Sequence, residues 1–133
     1  GGKGPIIVTE NIDFDETIDG VLTAAFARKA EVCFAGTRLY LSHQMHDKFI
    51  DRLSEQAQKI PMGDPLDEKT QLGPLMTKQR VEDISKIVDL SINEGVNIVC
   101  GGFKPDDKNL TKGNFYAPTI ATNISHNSHI AQE

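Results

Sequence analysis

Runs of apolar, β-branched residues alternate with amphipathic helical stretches along this chain, and that alternation restricts its fold more than any other feature. Strands are predicted at Pro5–Val8, Leu39–Leu41 and Asn97–Cys100, and a last extended segment covers Gly113–Ile124. Apolar residues recur with the helical period in the stretches 13–26, 45–60 and 77–95. Strands separated by helices predict an α/β fold with an open, largely parallel twisted sheet and helices on both faces.

Local signals refine these elements. The first strand is expected to be buried, and Pro118 places the last extended segment at a sheet edge or a bulge. Asp13 and Thr77 are expected to cap the first and third helices, and Gly95 to close the third. The apolar faces expected to be buried comprise Ile18, Val21, Leu22, Ala25 and Phe26, then Met45, Phe49, Ile50, Leu53 and Ala57, then Val81, Ile84, Ile87, Val88 and residues 90–92.

Composition limits the classes of protein to which the chain can belong. Its 133 residues, 38% of them hydrophobic, suit one domain with its own core. The net charge is −5 and the basic residues are scattered, which argues against a nucleic-acid or acidic-membrane surface. No apolar run is long enough to span a bilayer. Two distant cysteines favour a reducing compartment, so we expect a soluble, cytoplasmic protein.

Several patterns that could carry chemistry are incomplete. His43 and His46, like His126 and His129, have the spacing of paired zinc ligands, but a third ligand is missing, so we expect solvated surface and no metal. The glycine-rich start precedes a strand, whereas a phosphate-binding loop links a strand to a helix. The GxGxxG and GxSxG motifs are absent, so spacing indicates neither dinucleotide binding nor a serine hydrolase.

One cysteine lies where a scaffold can present a reactive side chain. Cys33 follows a predicted helix end and precedes a loop that enters a strand, and the small pair Ala35-Gly36 allows backbone to approach closely. Cys33 is therefore the candidate nucleophile, and the alternative is an inert packing residue, since free cysteines are often buried. Cys100 ends a short apolar strand, and we expect it to be buried without a chemical role.

Several motifs in series resemble landmarks of the NAD(P)-dependent aldehyde dehydrogenase superfamily, over essentially the whole chain. The start, Gly1-Gly2-Lys3-Gly4-Pro5, looks like the end of the family's Glu-Leu-Gly-Gly-Lys-Ser-Pro signature, and residues 31–38 resemble its nucleophile motif. Further similar stretches are 63–65, 72–75, 101–102, 113–119 and 131–133. The resemblance implies the fold of the family's catalytic domain.

The resemblance also implies a reaction and roles for residues. The family oxidises an aldehyde to a carboxylic acid through a thiohemiacetal and a thioester on its cysteine, here Cys33, whose backbone N–H also donates to the oxyanion. Ala27, Val32 and Phe34 match positions that shape the substrate pocket. Gly1 belongs to the loop beside the family's general base, and a weak cofactor contact is expected there.

The chain departs from the family pattern just before the cysteine. Arg28 and Ala30 stand where the family usually has Asn and Gly, and Glu31 replaces the commoner Gln. The charges of Arg28 and Lys29 could favour the thiolate of Cys33, or could point to solvent as charges at a helix end.

By the same resemblance, residues 1–133 are a single catalytic domain excised from a larger enzyme whose cofactor-binding domain is absent. NAD or NADP would serve the full-length parent, and we expect no cofactor bound to the fragment and no turnover from it alone. An aldehyde substrate, the missing domain and a homodimer or homotetramer are the implied partners. Two alternatives stay open: a non-catalytic structural or binding member of the same fold, and an acylating relative that uses coenzyme A.

Overall fold

The computed structural model describes residues 2–132 and divides the chain into two compact units, one up to Lys59 and one from Ile60 onward. The first unit contains β1 (Gly4–Ile7), α1 (Phe14–Phe26), a 3-10 turn (Ala27–Ala30), β2 (Gly36–Tyr40) and α2 (His46–Ala57). The second contains α3 (Lys78–Asn93), β3 (Asn97–Cys100), β4 (Ile120–Thr122) and α4 (His129–Gln132). The mixture of helices and strands in this order confirms the α/β class, and the single domain stays a prediction.

The described strands form two pairs, one parallel and one antiparallel. β1 runs parallel to β2, with Gly4 opposite Gly36, and the ladder continues where the Val8 N–H donates to the carbonyl of Tyr40 at 3.1 Å. β3 runs antiparallel to β4, with Ile98 opposite Ala121. The parallel pair follows from the helix that connects its strands, because parallel strands need such a crossover. The chain between β3 and β4 has no helix and returns in the opposite direction.

β1 is less buried than the sequence predicts. Its residues alternate between half-buried and exposed positions, and Ile7 is 71% exposed. Side chains alternate across a strand, so Pro5 and Ile7 lie on the face that the described residues leave open. Only the burial was predicted wrongly, since the parallel pairing of this strand is confirmed.

The helices of the first unit form where the apolar periodicity places them. The Asp13 side chain accepts the Glu16 N–H at 3.0 Å and caps α1, as predicted. α1 and α2 contact each other, and the rings of Phe14 and Phe49 meet edge to face with centroids 5.6 Å apart. The buried residues of the two helices are Ile18, Val21, Phe49, Ile50, Leu53, Ser54 and Ala57.

The ends of α3 are also as predicted. Thr77 caps its start by accepting the Arg80 N–H at 3.1 Å. At its other end Gly95 has a φ of +89°, and the N–H groups of Gly95 and Val96 donate to the carbonyls of Ile92 and Ser91, each at 3.0 Å. This pair of hydrogen bonds is the Schellman motif, which needs a left-handed residue such as glycine.

One part of the predicted buried face of α3 is wrong. Val81 and Val88 are buried, but Leu90 and Ile92 are exposed, and the residue buried between them is Ser91. Ser91 lies three positions after Val88 and so shares its face, whereas residues 90–92 span about 200° of helix surface at 100° per residue. Three consecutive residues therefore cannot all face one core.

The second unit has a small apolar core beside a close backbone contact. Val81, Val88 and Tyr116 are buried together, and Leu75, Ile84 and Ile98 pack against them. A side chain at Gly101 would meet the carbonyl oxygen of Pro118 at 2.1 Å, and the Gly102 N–H donates to the Thr119 hydroxyl at 2.9 Å. Of the extended segment predicted at Gly113–Ile124, only Ile120–Thr122 forms a strand. Pro118 precedes this strand and so lies outside any central ladder, as predicted.

Candidate active site

Cys33 lies on the surface of the first unit, in a short turn between the 3-10 turn and β2. The turn is closed by the Ala35 N–H, which donates to the carbonyl of Val32 at 3.1 Å. The thiol is exposed, whereas that of Cys100 is buried. Within residues 2–132 the Cys33 N–H has no hydrogen-bond acceptor. Because its side chain is exposed, Cys33 does not occupy the buried packing position of the alternative interpretation.

The chain reaches Cys33 through an unusual backbone. α1 ends where the Ala27 N–H donates to the carbonyl of Thr23, so the predicted helix end before the cysteine is confirmed. The next three residues, Arg28, Lys29 and Ala30, have φ values of 52°, 64° and 58°. These values lie in the left-handed region, which residues other than glycine, asparagine and aspartate seldom adopt. Residues 28–30 therefore form a left-handed turn, which redirects the chain sharply between α1 and Cys33.

An ion pair spans this left-handed turn. The Nζ of Lys29 lies 2.8 Å from Oε2 of Glu31, and both side chains are partly buried. The Glu31 N–H also donates to the carbonyl of Arg28 at 3.2 Å. Arg28 is exposed. The two basic residues thus differ, since Glu31 neutralises the charge of Lys29 while the guanidinium of Arg28 faces solvent.

The start of β1 lies against the chain that follows Cys33. A Cβ added to Gly36 would lie 2.3 Å from Cγ1 of Ile6, and one added to Gly4 would lie 3.0 Å from the carbonyl oxygen of Ala35. The close approach predicted for the small pair Ala35-Gly36 is therefore present, and its partner is β1. Cys33 lies just before the amino end of β2. The turn that carries it therefore continues directly into the β1–β2 pair.

The predicted pocket residues are near Cys33 in sequence but are not enclosed. Val32 is half-buried, Ala27 is exposed, and Phe34 is 77% exposed. Two grooves of the first unit lie elsewhere, one beside β1 and α1 that includes Val8 and Ile12, and one along α1 and α2. Neither groove includes Cys33. The prediction for Gly1 lies outside the described residues.

The described residues 2–132 contain no group of three or more His, Cys, Asp or Glu side chains placed to hold a metal ion. One histidine of each pair has a carboxylate partner. Nδ1 of His46 lies 2.8 Å from the Asp47 carboxylate, and Nδ1 of His129 contacts the Glu94 carboxylate. Within the same range no helix has the length and apolar character that crossing a bilayer requires.

Cys100 is a buried strand residue, as predicted. Its side chain points toward the carbonyl oxygen of Pro118, at 3.9 Å from the sulfur. Burial raises the pKa of this thiol, because the thiolate loses its hydration there. Cys100 therefore offers an internal reference of low reactivity within the same chain.

The ion pair and the left-handed backbone were not found from the sequence. Residues 27–30 read Ala-Arg-Lys-Ala, all of them good helix formers, and they contain no glycine or asparagine to signal a positive φ. A Lys and a Glu two positions apart match no helix or strand pairing rule. The only signal was the departure of Arg28, Ala30 and Glu31 from the pattern that the chain otherwise resembles.

Comparison with known proteins gives a consistent result. The model of the "Aldehyde dehydrogenase family" matches residues 1–133. Betaine aldehyde dehydrogenases of Brucella anthropi and Bacillus subtilis are 37% and 36% identical over 133 residues, which cover all of this chain and 27% of each relative. This chain therefore spans about a quarter of the length of these curated relatives.

Solved structures agree with these relatives. A crystal structure of betaine aldehyde dehydrogenase from Staphylococcus aureus in complex with NAD+ has a TM-score of 0.96 and 33% identity, covering 100% of this chain and 26% of that chain. An apo structure of a point mutant of that enzyme, with the same TM-score, contains a BME-modified cysteine. At this similarity the two units of the present chain have the fold of the matching part of those structures.

Proposed function

The chain belongs to the aldehyde dehydrogenase family, and on that premise we propose that it is the nucleophile-bearing catalytic part of an enzyme that oxidises an aldehyde to a carboxylic acid with NAD(P)+. The observation that supports this most directly is the position of Cys33, exposed on a tight turn with an N–H group that has no acceptor within residues 2–132. A reactive thiol and an adjacent donor are what acyl chemistry on a carbonyl needs.

The proposed chemistry of the chain concerns two steps at Cys33. The thiolate attacks the carbonyl carbon, a C–S bond forms, and the carbonyl electron pair moves onto oxygen, which accepts the Cys33 N–H. After oxidation of this thiohemiacetal, water adds to the thioester and the C–S bond breaks, which restores the thiolate and releases the carboxylate and two protons. A related S. aureus enzyme contains a BME-modified cysteine, and we propose a comparable reactivity for Cys33.

The cofactor contacts lie outside the described residues in this proposal. NAD(P)+ accepts the hydride of the aldehyde when it is bound. Residues 2–132 contain no strand that passes through a glycine-rich turn into a helix, which is the unit that binds dinucleotides in many folds. The described residues therefore do not fit a dinucleotide by themselves, and we assign its binding to the rest of the parent enzyme.

The remaining proposals follow from the share of the relatives that the chain covers. With 27% of the length of its relatives, the chain alone should bind no cofactor and show no turnover. The parent would act in the cytoplasm as a homodimer or homotetramer, and Ala27, Val32 and Phe34 would line its aldehyde site. Because the compared relatives are betaine aldehyde dehydrogenases, betaine aldehyde is the first substrate to assay with the parent.

The test is the pH dependence of Cys33 alkylation by iodoacetamide, with each cysteine quantified by peptide mass spectrometry. We expect the exposed Cys33 to react far faster than the buried Cys100, and Cys33→Ser to remove this reaction. The same substitution in the full-length parent should abolish aldehyde oxidation.

Other outcomes would favour the alternatives. Slow alkylation of Cys33, together with full activity of Cys33→Ser in the parent, would contradict the nucleophile and favour a structural or binding member of the fold. Thioester release that depends on coenzyme A instead of water would favour an acylating relative.

A further inference from the structure

The residues between α1 and Cys33 adopt a backbone that their own propensities oppose. Ala27, Arg28, Lys29 and Ala30 are good helix formers, and α1 precedes them directly. Local preference therefore favours continuing α1 by another turn. The chain instead places three of these residues in the left-handed region, which costs an L-residue free energy because Cβ approaches the following carbonyl. Such a conformation persists only where its surroundings over-determine it.

The Lys29–Glu31 ion pair can exist in the turn but not in a continued helix. Side chains two positions apart on an α-helix point to different faces and do not meet. In the turn, Nζ of Lys29 lies 2.8 Å from Oε2 of Glu31, and the side chains are only 27% and 21% exposed. This carboxylate oxygen is itself buried. A partly buried pair is less screened by water and salt than a pair on open surface.

We propose that Lys29 and Glu31 are positioning residues, whose ion pair holds the left-handed turn against helix continuation and thereby presents Cys33. The inference rests on the proposed function for its consequence, since the position of Cys33 matters only if its thiol is the nucleophile. The Ala35–Val32 hydrogen bond and the contact of Gly36 with Ile6 hold the chain after Cys33. The ion pair supplies the corresponding constraint on the chain before it.

The experiment compares Glu31→Gln in two backgrounds. In the natural background, loss of the pair should let the turn exchange with helix, and the three-bond HN–Hα coupling of Lys29 should move toward its helical value. The rate constant of Cys33 alkylation should fall, by at most about fivefold, since one ordinary ion pair changes the equilibrium constant between turn and helix by up to roughly that factor. In the Ala30→Gly background the turn tolerates a positive φ without the pair, and Glu31→Gln should change the rate less than about twofold.

Two control variants separate the pair from general charge effects. Arg28→Gln removes a cation from the same turn without touching the pair, and should leave the Lys29 coupling unchanged. Lys29→Arg keeps the pair and should retain both the coupling and the alkylation profile.

The following results would contradict the proposed role of the ion pair. An unchanged Lys29 coupling in Glu31→Gln, or an equal effect in both backgrounds, would overturn it. A shifted coupling with unchanged alkylation would overturn the positioning role of the pair. If Glu31→Gln unfolds the unit, Ala30→Gly must restore folding, and failure to do so would also overturn it. The coupling reports the turn whatever the chemistry of Cys33, so slow alkylation of Cys33 in the natural chain would count against the proposed function alone.

Discussion

At the residue scale, two glycines lack a side chain for different physical reasons. Gly36 needs space, because a Cβ there would lie 2.3 Å from Cγ1 of Ile6. Gly95 has open space around it but a φ of +89°, which L-residues avoid. The first glycine brings β1 against the chain after Cys33, and the second ends α3. The contact at Gly36 therefore bears directly on the candidate site.

Gly36→Ala should destabilise the first unit, because the added methyl group must displace Ile6 from its position. We expect the free energy of unfolding in urea to fall by about 1–3 kcal/mol, as for other overpacked sites. Gly20→Ala is the matched control, since Gly20 lies within α1 with no atom near its added Cβ. It should stabilise the unit by about 0.5–1 kcal/mol. Equal effects of the two substitutions would refute the close contact between Gly36 and Ile6.

At the element scale, the helices begin at residues whose side chains replace missing backbone partners. Asp13 accepts the Glu16 N–H at 3.0 Å, and Thr77 accepts the Arg80 N–H at 3.1 Å. The first N–H groups of a helix have no carbonyl within the helix, so these caps set where α1 and α3 start. The position of α1 in turn sets where the left-handed turn before Cys33 begins.

Replacing the cap of α1 should weaken the helix from its first turn. Asp13→Ala is expected to lower the free energy of unfolding by about 1 kcal/mol, whereas Asp13→Asn keeps an acceptor oxygen and should retain most of the stability. Hydrogen exchange of the Glu16 amide gives the local measurement, with faster exchange expected only in Asp13→Ala. Asp19→Ala, at an exposed position inside α1, serves as the control. A similar loss from Asp19→Ala would contradict the capping role.

At the scale of the whole molecule, each compact unit has its own long-range links. In the second unit the end of α3 is joined to the segment around α4. The Glu94 carboxylate accepts the His129 N–H at 2.9 Å and also contacts the imidazole, and the Asn123 amide donates to the carbonyl of Gly95 at 2.9 Å. Glu94 and His129 are 35 positions apart. These hydrogen bonds therefore secure the last described segment to the unit.

This link should make the second unit sensitive to acid. The hydrogen bond from the His129 N–H, and then that from its imidazole, hold the pKa of Glu94 below its ordinary value of 4.5. A lowered carboxyl pKa stabilises the fold fully above the unfolded value, and that stabilisation is lost as pH falls from about 4.5 through the lower folded value. Glu94→Gln should therefore be less stable than the natural chain at neutral pH, and the difference should disappear in acid.

The measurement is urea unfolding of both chains at a series of pH values, followed by the Tyr116 signal in the core of the second unit. Glu82→Gln is the control, because the ion pair of Glu82 among the described residues is an exposed one with Lys78 at 3.7 Å, and such pairs contribute little. A stability difference between Glu94→Gln and the natural chain that persists unchanged in acid would contradict the role of this carboxylate.

Much of the fold could be predicted because its signals are local. The caps at Asp13 and Thr77, the closing Gly95 and the apolar periodicity each concern residues within one or two helical turns. The place of Cys33 between a helix end and a strand could also be predicted from residues close to it in sequence. The series of motifs along the chain was sufficient to identify the family.

The rest depends on residues that are distant in sequence or on conformations against local preference. Exposure of Ile7 depends on which face of β1 is covered, and the link of Glu94 to His129 joins positions 35 apart. The left-handed turn before Cys33 contradicts the helix propensity of its own residues. The sequence by itself determined α1, α2, α3 and the approximate places of the strands, because short-range periodicity and capping specify them, whereas α4 was not predicted. The family and the role of the candidate nucleophile came from the resemblance of its motifs. Only the tertiary structure decided the faces that are buried and the turn that presents the thiol, because these depend on contacts that no local pattern encodes.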